Sequence, residues 1–162
     1  RLQGDWSSDV CSSDLREIET ELLPLCESAG LGVIVYNPLA GGFLSGKYAP
    51  GQSPEEGTRF TLGTAAERYQ YRYWQDAQFS EVEKLKLAAD TRNLSLVTVS
   101  VAWVLRQAGI TSAIIGASKA AQLAANLDAV SFEWDDELLA LCDAAWWALP
   151  RRPVKEIGRA HV

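Results

Sequence analysis

The sequence predicts an α/β fold with a parallel sheet, on three observations. Two short apolar runs rich in β-branched residues, 31–36 and 110–115, are bounded by glycine or proline and are typical of buried strands. Segments with helical spacing of apolar residues precede and follow them, so helix and strand alternate along the chain. A chain of 162 residues with 48% hydrophobic and 22% charged residues can bury a core, which excludes disorder of the whole chain.

The first half begins with a predicted helix over 16–29, because apolar residues recur there every three or four positions and Gly30 follows. The strand 31–36 comes next and ends before Pro38. Glycines and prolines crowd the chain after it, so the stretch from Gly41 to about 78 is predicted to be a long loop with one helical turn near 65–73.

The second half contains three more helices and a strand. Ser80 with Glu83 three residues later forms a predicted capping box, and that helix ends at Asn93. Over 94–107 the valines favour a strand, whereas the alanine, leucine and arginine that follow them, with Gly109 as a stop, favour a helix. We predict a helix there, and we predict helices over 120–127 and from Asp135 onward.

Charge and cysteine content narrow the class of protein. The 15 basic and 21 acidic residues give a net charge of −6, which argues against a general nucleic-acid or anionic-membrane surface. No apolar stretch approaches the ~20 residues that a bilayer span needs. Cys11, Cys26 and Cys142 lie far apart, so neither a metal site nor a disulfide framework is indicated. We therefore expect a soluble protein of the reducing cytoplasm, with no partner protein evident.

Both ends of the chain are expected to be foreign to the protein. The stretch 5–15, DWSSDVCSSDL, is what a widely used short-read sequencing adapter encodes when translated, and 156–162, EIGRAHV, corresponds to the complementary adapter strand, whose next codon is a stop. We expect residues 1–15 and 157–162 to be adapter-derived tails that do not pack on the rest, as in a metagenomic fragment, which leaves 16–156 as a partial domain. The alternative is a flexible, serine-rich start and a short basic end.

Two motifs follow the predicted strands. After the first come an aromatic residue, polar groups, close glycines and a lysine, YNPLAGGFLSGKY, at the edge where α/β folds bind ligands. After the second, Gly116, Ser118 and Lys119 enter a helix, where free backbone N–H groups, a hydroxyl and an ammonium can hold a phosphate. These features alone suggest a phosphorylated ligand.

The two motifs, GLGVIVYNPLAGGFLSGKY and TSAIIGASKAAQLAANLDA, resemble the strand-seven and strand-eight motifs of the aldo-keto reductase family. The resemblance covers 16–145 and is to the branch that includes potassium-channel β subunits and bacterial reductases. It implies the C-terminal part of a (β/α)8 TIM barrel, with the last two strands and their helices in an incomplete barrel. We then expect adjacent parallel strands at about 32–37 and 111–116 whose inner face exposes Val33, Val35 and Ile114.

The resemblance also implies NADP(H) as cofactor and an aldehyde or ketone as a small-molecule carbonyl substrate. It places Tyr36 on the nicotinamide ring and the next residues along the pyrophosphate. It assigns phosphate contacts to a lysine and an arginine of the long loop. It assigns the 2′-phosphate to the serine and lysine of the second motif, and the adenine to the glutamine and asparagine of the helix that follows them. The residues in chain order are Tyr36, Asn37, Pro38, Leu39, Ala40, Lys47, Arg59, Gly116, Ser118, Lys119, Gln122 and Asn126. Two positions depart from the branch: Asn37 replaces a commoner serine, and Ala125 stands where a glutamate is frequent.

Catalysis in this family needs a tyrosine general acid helped by a lysine, an aspartate and usually a histidine, all from the first half of the barrel. This chain resembles no part of that half. We therefore assign no catalytic residue and expect the chain alone to be inactive. Three hypotheses stay open. The parent protein is an NADP(H)-dependent aldo-keto reductase, or it is a nucleotide-sensing regulatory subunit of the channel-associated type, or the chain is a truncated reading frame without function.

Overall fold

The computed structural model describes residues 16–149, and the expected tails 1–15 and 157–162 lie outside the described residues. Within that range the chain is α/β, with two strands, six α-helices and three short 3-10 helices. The strands are β1 (Val33–Tyr36) and β2 (Ile110–Ile114). The α-helices are α1 (Leu22–Ser28), α2 (Ala66–Tyr73), α3 (Asp76–Asp90), α4 (Leu96–Arg106), α5 (Ala120–Leu127) and α6 (Asp136–Ala148); the 3-10 helices are Arg16–Glu19, Ala40–Ser45 and Asp128–Ser131.

The strands β1 and β2 are adjacent and parallel, as predicted. Tyr36 lies opposite Ile114, and the register shifts once between Val33 and Ile34. At that irregularity the backbone N–H of Val33 donates to Oγ1 of Thr111 at 3.0 Å. Because the strands are parallel and in register at Tyr36, their carboxyl ends meet at one edge of the sheet.

The prediction that Val33 and Val35 are exposed on the inner face was wrong: Val35 is only 5% exposed, and Val33 is half-buried. Successive side chains of a strand point to opposite faces, so Val35 faces the helical side and Ile34, at 63% exposure, faces away from it. Ile114 is 59% exposed, as predicted. One face of the sheet is therefore open in the described part of the chain, whereas the continuous apolar runs had suggested strands covered on both faces.

Two helix boundaries differ from the predictions. The predicted helix over 16–29 is divided into the 3-10 helix Arg16–Glu19 and α1. A continuous helix would set the ring of Pro24 against the carbonyl of Thr20 and would leave that carbonyl without a donor, so the break falls there. The predicted capping box at Ser80 does not form, because α3 begins a turn earlier and buries Phe79 at 4% exposure.

The other predicted helices are confirmed. The ambiguous segment 94–107 forms α4, and α5 has the predicted limits. Asp135 caps α6, where its Oδ1 accepts the backbone N–H of Leu138 at 2.8 Å. Arg92 joins the end of α3 to this cap, with its Nε 2.8 Å from Oδ2 of Asp135 and its Nη2 2.6 Å from Glu137.

The segment between β1 and α3 is an aromatic core and not only a loop. The predicted helical turn near 65–73 is α2, Ala66–Tyr73. Phe60 is fully buried, and its ring centre lies 4.9 Å from that of Trp74 and 5.3 Å from that of Tyr48. Phe43 is 4.9 Å from Phe79 of α3, which fastens the segment to the helical layer. The segment is therefore packed in place beside the end of β1.

A second core joins the helices. Ala89 of α3, Val99 of α4 and Leu138 of α6 are each at most 1% exposed and pack together. The helices α3, α4 and α6 form the layer against which the strand-end segments rest.

Of the helices in 16–149, none is both long and apolar enough to cross a membrane.

Candidate functional site

The residues after β1 form a left-handed turn. Asn37 and Ala40 have φ of 60° and 50°, and Gly41 and Gly42 follow with φ of 70° and 94°. Oδ1 of Asn37 accepts the backbone N–H of Gly41 at 2.6 Å, and its carbonyl oxygen accepts that of Ala40 at 3.0 Å. Asparagine adopts positive φ more readily than most residues and supplies this side-chain acceptor. The departure from serine at position 37 is therefore compatible with the turn.

Two constraints favour glycine at position 41: its positive φ and the close approach of the Tyr69 ring. A Cβ at this position would lie 2.7 Å from two ring carbons of Tyr69 in α2. Ala40 and Phe43 beside it are each 3% exposed. The turn is thus held between the strand and the aromatic core, which leaves little freedom for the backbone of 37–42.

The residues after β2 approach α5 through a side-chain cap. Oε1 of Gln122 accepts the backbone N–H of Ser118 at 2.9 Å, the Ser118 hydroxyl at 3.0 Å and the backbone N–H of Lys119 at 3.2 Å. The prediction of free N–H groups here was wrong for these two residues. A glutamine at the third position of a helix can reach back to the cap, and Gln122 does so. Gly116, Ser118 and Lys119 are exposed.

Asn126 lies one turn further along α5 and is only 3% exposed. Its Oδ1 is buried and has no hydrogen-bond partner among the residues that the structure describes. A buried acceptor without a donor costs roughly 1–3 kcal/mol and is uncommon in native proteins. Nearby, Oγ1 of Thr98 donates to the carbonyl of Ala125 at 2.8 Å and joins α4 to α5. A ligand with a donor group could satisfy the Asn126 oxygen.

The strand register brings the two motifs to one edge. Because Tyr36 pairs with Ile114, the turn at 37–42 and the segment 115–119 both leave the sheet there. Lys47 belongs to the aromatic segment, where it is exposed and its Nζ lies 4.7 Å from the centre of the Tyr48 ring. Arg59 is exposed in the same segment, next to the buried Phe60.

Sequence reasoning missed three features of this edge: the left-handed run at 40–42, the Asn37 acceptor and the capping role of Gln122. The pair Gly41–Gly42 directly after a strand was a signal for positive φ. Glutamine three residues after the start of a helix was a signal for a cap.

The described chain has a parallel α/β sheet with a glycine-rich turn and a helix start at the carboxyl ends of its strands, the edge where open α/β folds bind ligands. The model of the family described as Aldo/keto reductase family matches residues 8–146. The chain belongs to the aldo/keto reductase family. The match includes residues 8–15, for which an adapter origin stays a prediction.

Several named relatives are similar to this chain. A probable voltage-gated potassium channel subunit beta of Oryza sativa subsp. japonica is 36% identical over 117 residues, which cover 70% of this chain and 34% of the relative. Aflatoxin B1 aldehyde reductase member 2 of Rattus norvegicus is 36% identical over 127 residues, with the same two coverages. L-glyceraldehyde 3-phosphate reductase of Escherichia coli (strain K12) is 31% identical over 110 residues, covering 68% and 32%. The chain spans about a third of the length of these relatives.

Proposed function

We propose that residues 16–156 are the C-terminal, cofactor-binding part of an NADP(H)-dependent aldo-keto reductase that reduces aldehydes or ketones by hydride transfer. The observation that carries the proposal is the pairing of Tyr36 with Ile114, which sets both family motifs at one sheet edge. The family match and the relatives named as reductases support the reaction class. The incomplete (β/α)8 barrel belongs to the same proposal, and the open face at Ile34 and Ile114 supports it.

In this proposal each part of the edge holds one part of the cofactor. Tyr36 stacks beneath the nicotinamide, and the turn from Asn37 to Ala40 lines the pyrophosphate. Lys47 and Arg59 add positive charge to the phosphates. NADPH supplies the hydride, whereas this chain's residues bind and orient the nucleotide.

The residues after β2 fit the adenosine end. The Oδ1 of Asn126 is a buried acceptor, and the adenine amino group is a donor that can pair with it. The exposed Lys119 and Ser118 take the 2′-phosphate. Because Gln122 holds the N–H groups of Ser118 and Lys119, phosphate reaches them only when Gln122 turns toward the adenine.

The test uses two probes that carry only the adenosine end, 2′,5′-ADP and 5′-AMP, titrated against the 162-residue chain. Lys119→Ala should weaken 2′,5′-ADP binding about five- to tenfold and leave 5′-AMP binding unchanged, since the lysine contacts only the 2′-phosphate. Lys84→Ala is the control, because Lys84 is exposed on α3 and pairs with Glu81. Equal affinity of the Lys119 variant and the unaltered chain for 2′,5′-ADP would return Lys119 to a solvated surface role.

The proposal also predicts no NADPH-dependent reduction of aldehydes by this chain, because the general acid and its helpers belong to the first half of the barrel. Measurable turnover by the purified chain would overturn the assignment of catalysis to that half. The second candidate function, a nucleotide-sensing subunit, is favoured by the similarity to a protein named as a potassium channel subunit beta. An intact set of four catalytic residues in the parent gene supports the enzyme, and a degraded set supports the sensor.

A further inference from the structure

An apolar cavity of about 110 Å³ lies between the helical layer and the turn after β1. Its walls come from α3, α4 and α6, and Pro38 and Ala40 of the turn close one side. Its large wall side chains include Phe43, Tyr73, Leu85, Leu96, Trp103 and Trp146. None of the described residues 116–126 lines it, so the cavity is distinct from the adenosine end of the proposed cofactor site.

Three polar wall groups are already engaged by the protein. The Ser100 hydroxyl donates to the carbonyl of Leu96 at 2.7 Å. Nε1 of Trp103 donates to Oδ1 of Asp143 at 2.9 Å. The Glu81 carboxylate is paired with Lys84. These groups offer little to a charged ligand.

Two further polar wall groups, those of Gln78 and Cys142, are poorly suited to hold water. Nε2 of Gln78 donates to the carbonyl of Arg72 at 3.1 Å, which sets the amide orientation because a carbonyl can only accept. Its Oε1 is buried without a partner in the described part of the chain. Burial raises the pKa of the Cys142 thiol to about 12, so this group is neutral. A water molecule needs two to four polar partners, and the Gln78 oxygen and the weakly polar Cys142 thiol do not provide them by themselves.

We propose that this cavity binds a single neutral aromatic ring of about benzene's size. An apolar cavity of roughly 150 Å³ binds benzene, so the volume of about 110 Å³ is of the order of one ring. Trp103, Trp146 and Phe43 supply aromatic walls for edge and face contacts. The described lining holds no basic residue, and its carboxylate, Glu81, is paired with Lys84, so the space offers nothing to a phosphorylated or anionic ligand.

The test is a titration of the ¹⁵N-labelled 162-residue chain with toluene, followed by NMR. Saturable shifts should appear at the indole N–H signals of Trp103 and Trp146. The signal of Trp134 should stay unchanged, because Trp134 packs on Phe132 and does not line the cavity. The absence of saturable shifts at the two wall tryptophans up to the solubility limit of toluene overturns the proposal, as does an equal shift at Trp134.

Two matched variants on α6 locate the ligand. Ala145 lines the cavity and is 9% exposed, whereas Ala144 is exposed on the same helix. Ala145→Leu fills part of the space and should weaken toluene binding at least about tenfold, against less than about twofold for Ala144→Leu. Circular dichroism of both variants checks folding, and Ser100→Val fills the cavity from α4 if Ala145→Leu does not fold. Toluene affinity unchanged in the folded filling variant overturns the proposal.

Discussion

Replacing Gly41 by alanine separates two costs that the turn after β1 imposes. The first is backbone conformation, since Gly41 has φ of 70°. The second is space, because the new Cβ would lie 2.7 Å from two ring carbons of Tyr69. Gly42 is the matched control: its φ is 94°, and a Cβ there meets nothing within 4 Å. Gly42→Ala therefore carries the backbone cost without the clash.

The expected magnitudes follow from these contacts. A left-handed conformation costs an alanine about 1–2 kcal/mol, which applies to both variants. The clash adds about 1–3 kcal/mol for Gly41→Ala, the usual cost of overpacking. The Tyr69 ring cannot move away freely, because its centre lies 6.0 Å from that of Phe60 and 5.8 Å from that of Tyr73. Gly41→Ala should thus lower the free energy of unfolding by about 2–5 kcal/mol.

Urea denaturation followed by tryptophan fluorescence measures both losses, and Trp74 in the adjacent aromatic core reports the region. Tyr69→Ala removes the ring, so Gly41→Ala in that background should no longer lose the stability that the clash costs. The coupling energy between positions 41 and 69 should therefore be about 1–3 kcal/mol. Equal losses for Gly41→Ala and Gly42→Ala, or additive effects in the double variant, would refute the packing argument.

Two further predictions concern titratable groups. The Arg92 guanidinium and the Leu138 N–H hold the pKa of Asp135 below its ordinary value of 3.8, so the stabilisation is complete above that value and is lost as pH falls through the lower folded pKa. Asp135→Asn should lower Tm at pH 7 and make the decrease of Tm below pH 4 less steep. A series of thermal melts at different pH values measures this, and a series that the substitution leaves unchanged contradicts it. Both Cys26 and Cys142 are half-buried, but burial raises the pKa of the Cys142 thiol to about 12. Alkylation of Cys142 at pH 8 should therefore be much slower than that of Cys26 and should speed up in urea, as read by peptide mass mapping. Comparable rates for Cys26 and Cys142 in the folded chain speak against a neutral Cys142 thiol.

The sequence was sufficient for the order and type of the regular elements because their patterns are local. The limits of α5 and the Asp135 cap depend on residues within one or two turns of each other, so they could be read directly. The start of α3 could not, because Ser80 is a good cap by local chemistry but the burial of Phe79 against Phe43 favours an earlier start. The contact that decides this boundary is distant in sequence.

The candidate site shows the same division. The motifs predicted which residues lie after the strands, and the parallel pairing of β1 with β2 brings them to one edge. The engagement of Ser118 and Lys119 by Gln122 depends on one side-chain rotamer, which composition and spacing do not specify. The sheet faces were misjudged because a four-residue strand of Val, Ile, Val and Tyr has no polar residue to mark its exposed side.

The strand pairing has a consequence for how the protein folds. The Val33–Thr111 hydrogen bond joins residues 78 positions apart, and closing a chain segment of that length costs about 4 kcal/mol of entropy by the logarithmic law. The turn at 37–42, in contrast, closes over four residues through the Asn37–Gly41 bond. Local contacts form early in folding and distant pairings late, so half of the ligand edge takes shape well before the other half arrives. A chain still emerging during synthesis can close the turn, but the second half of the edge can arrive only after α3, α4 and β2 have been synthesised.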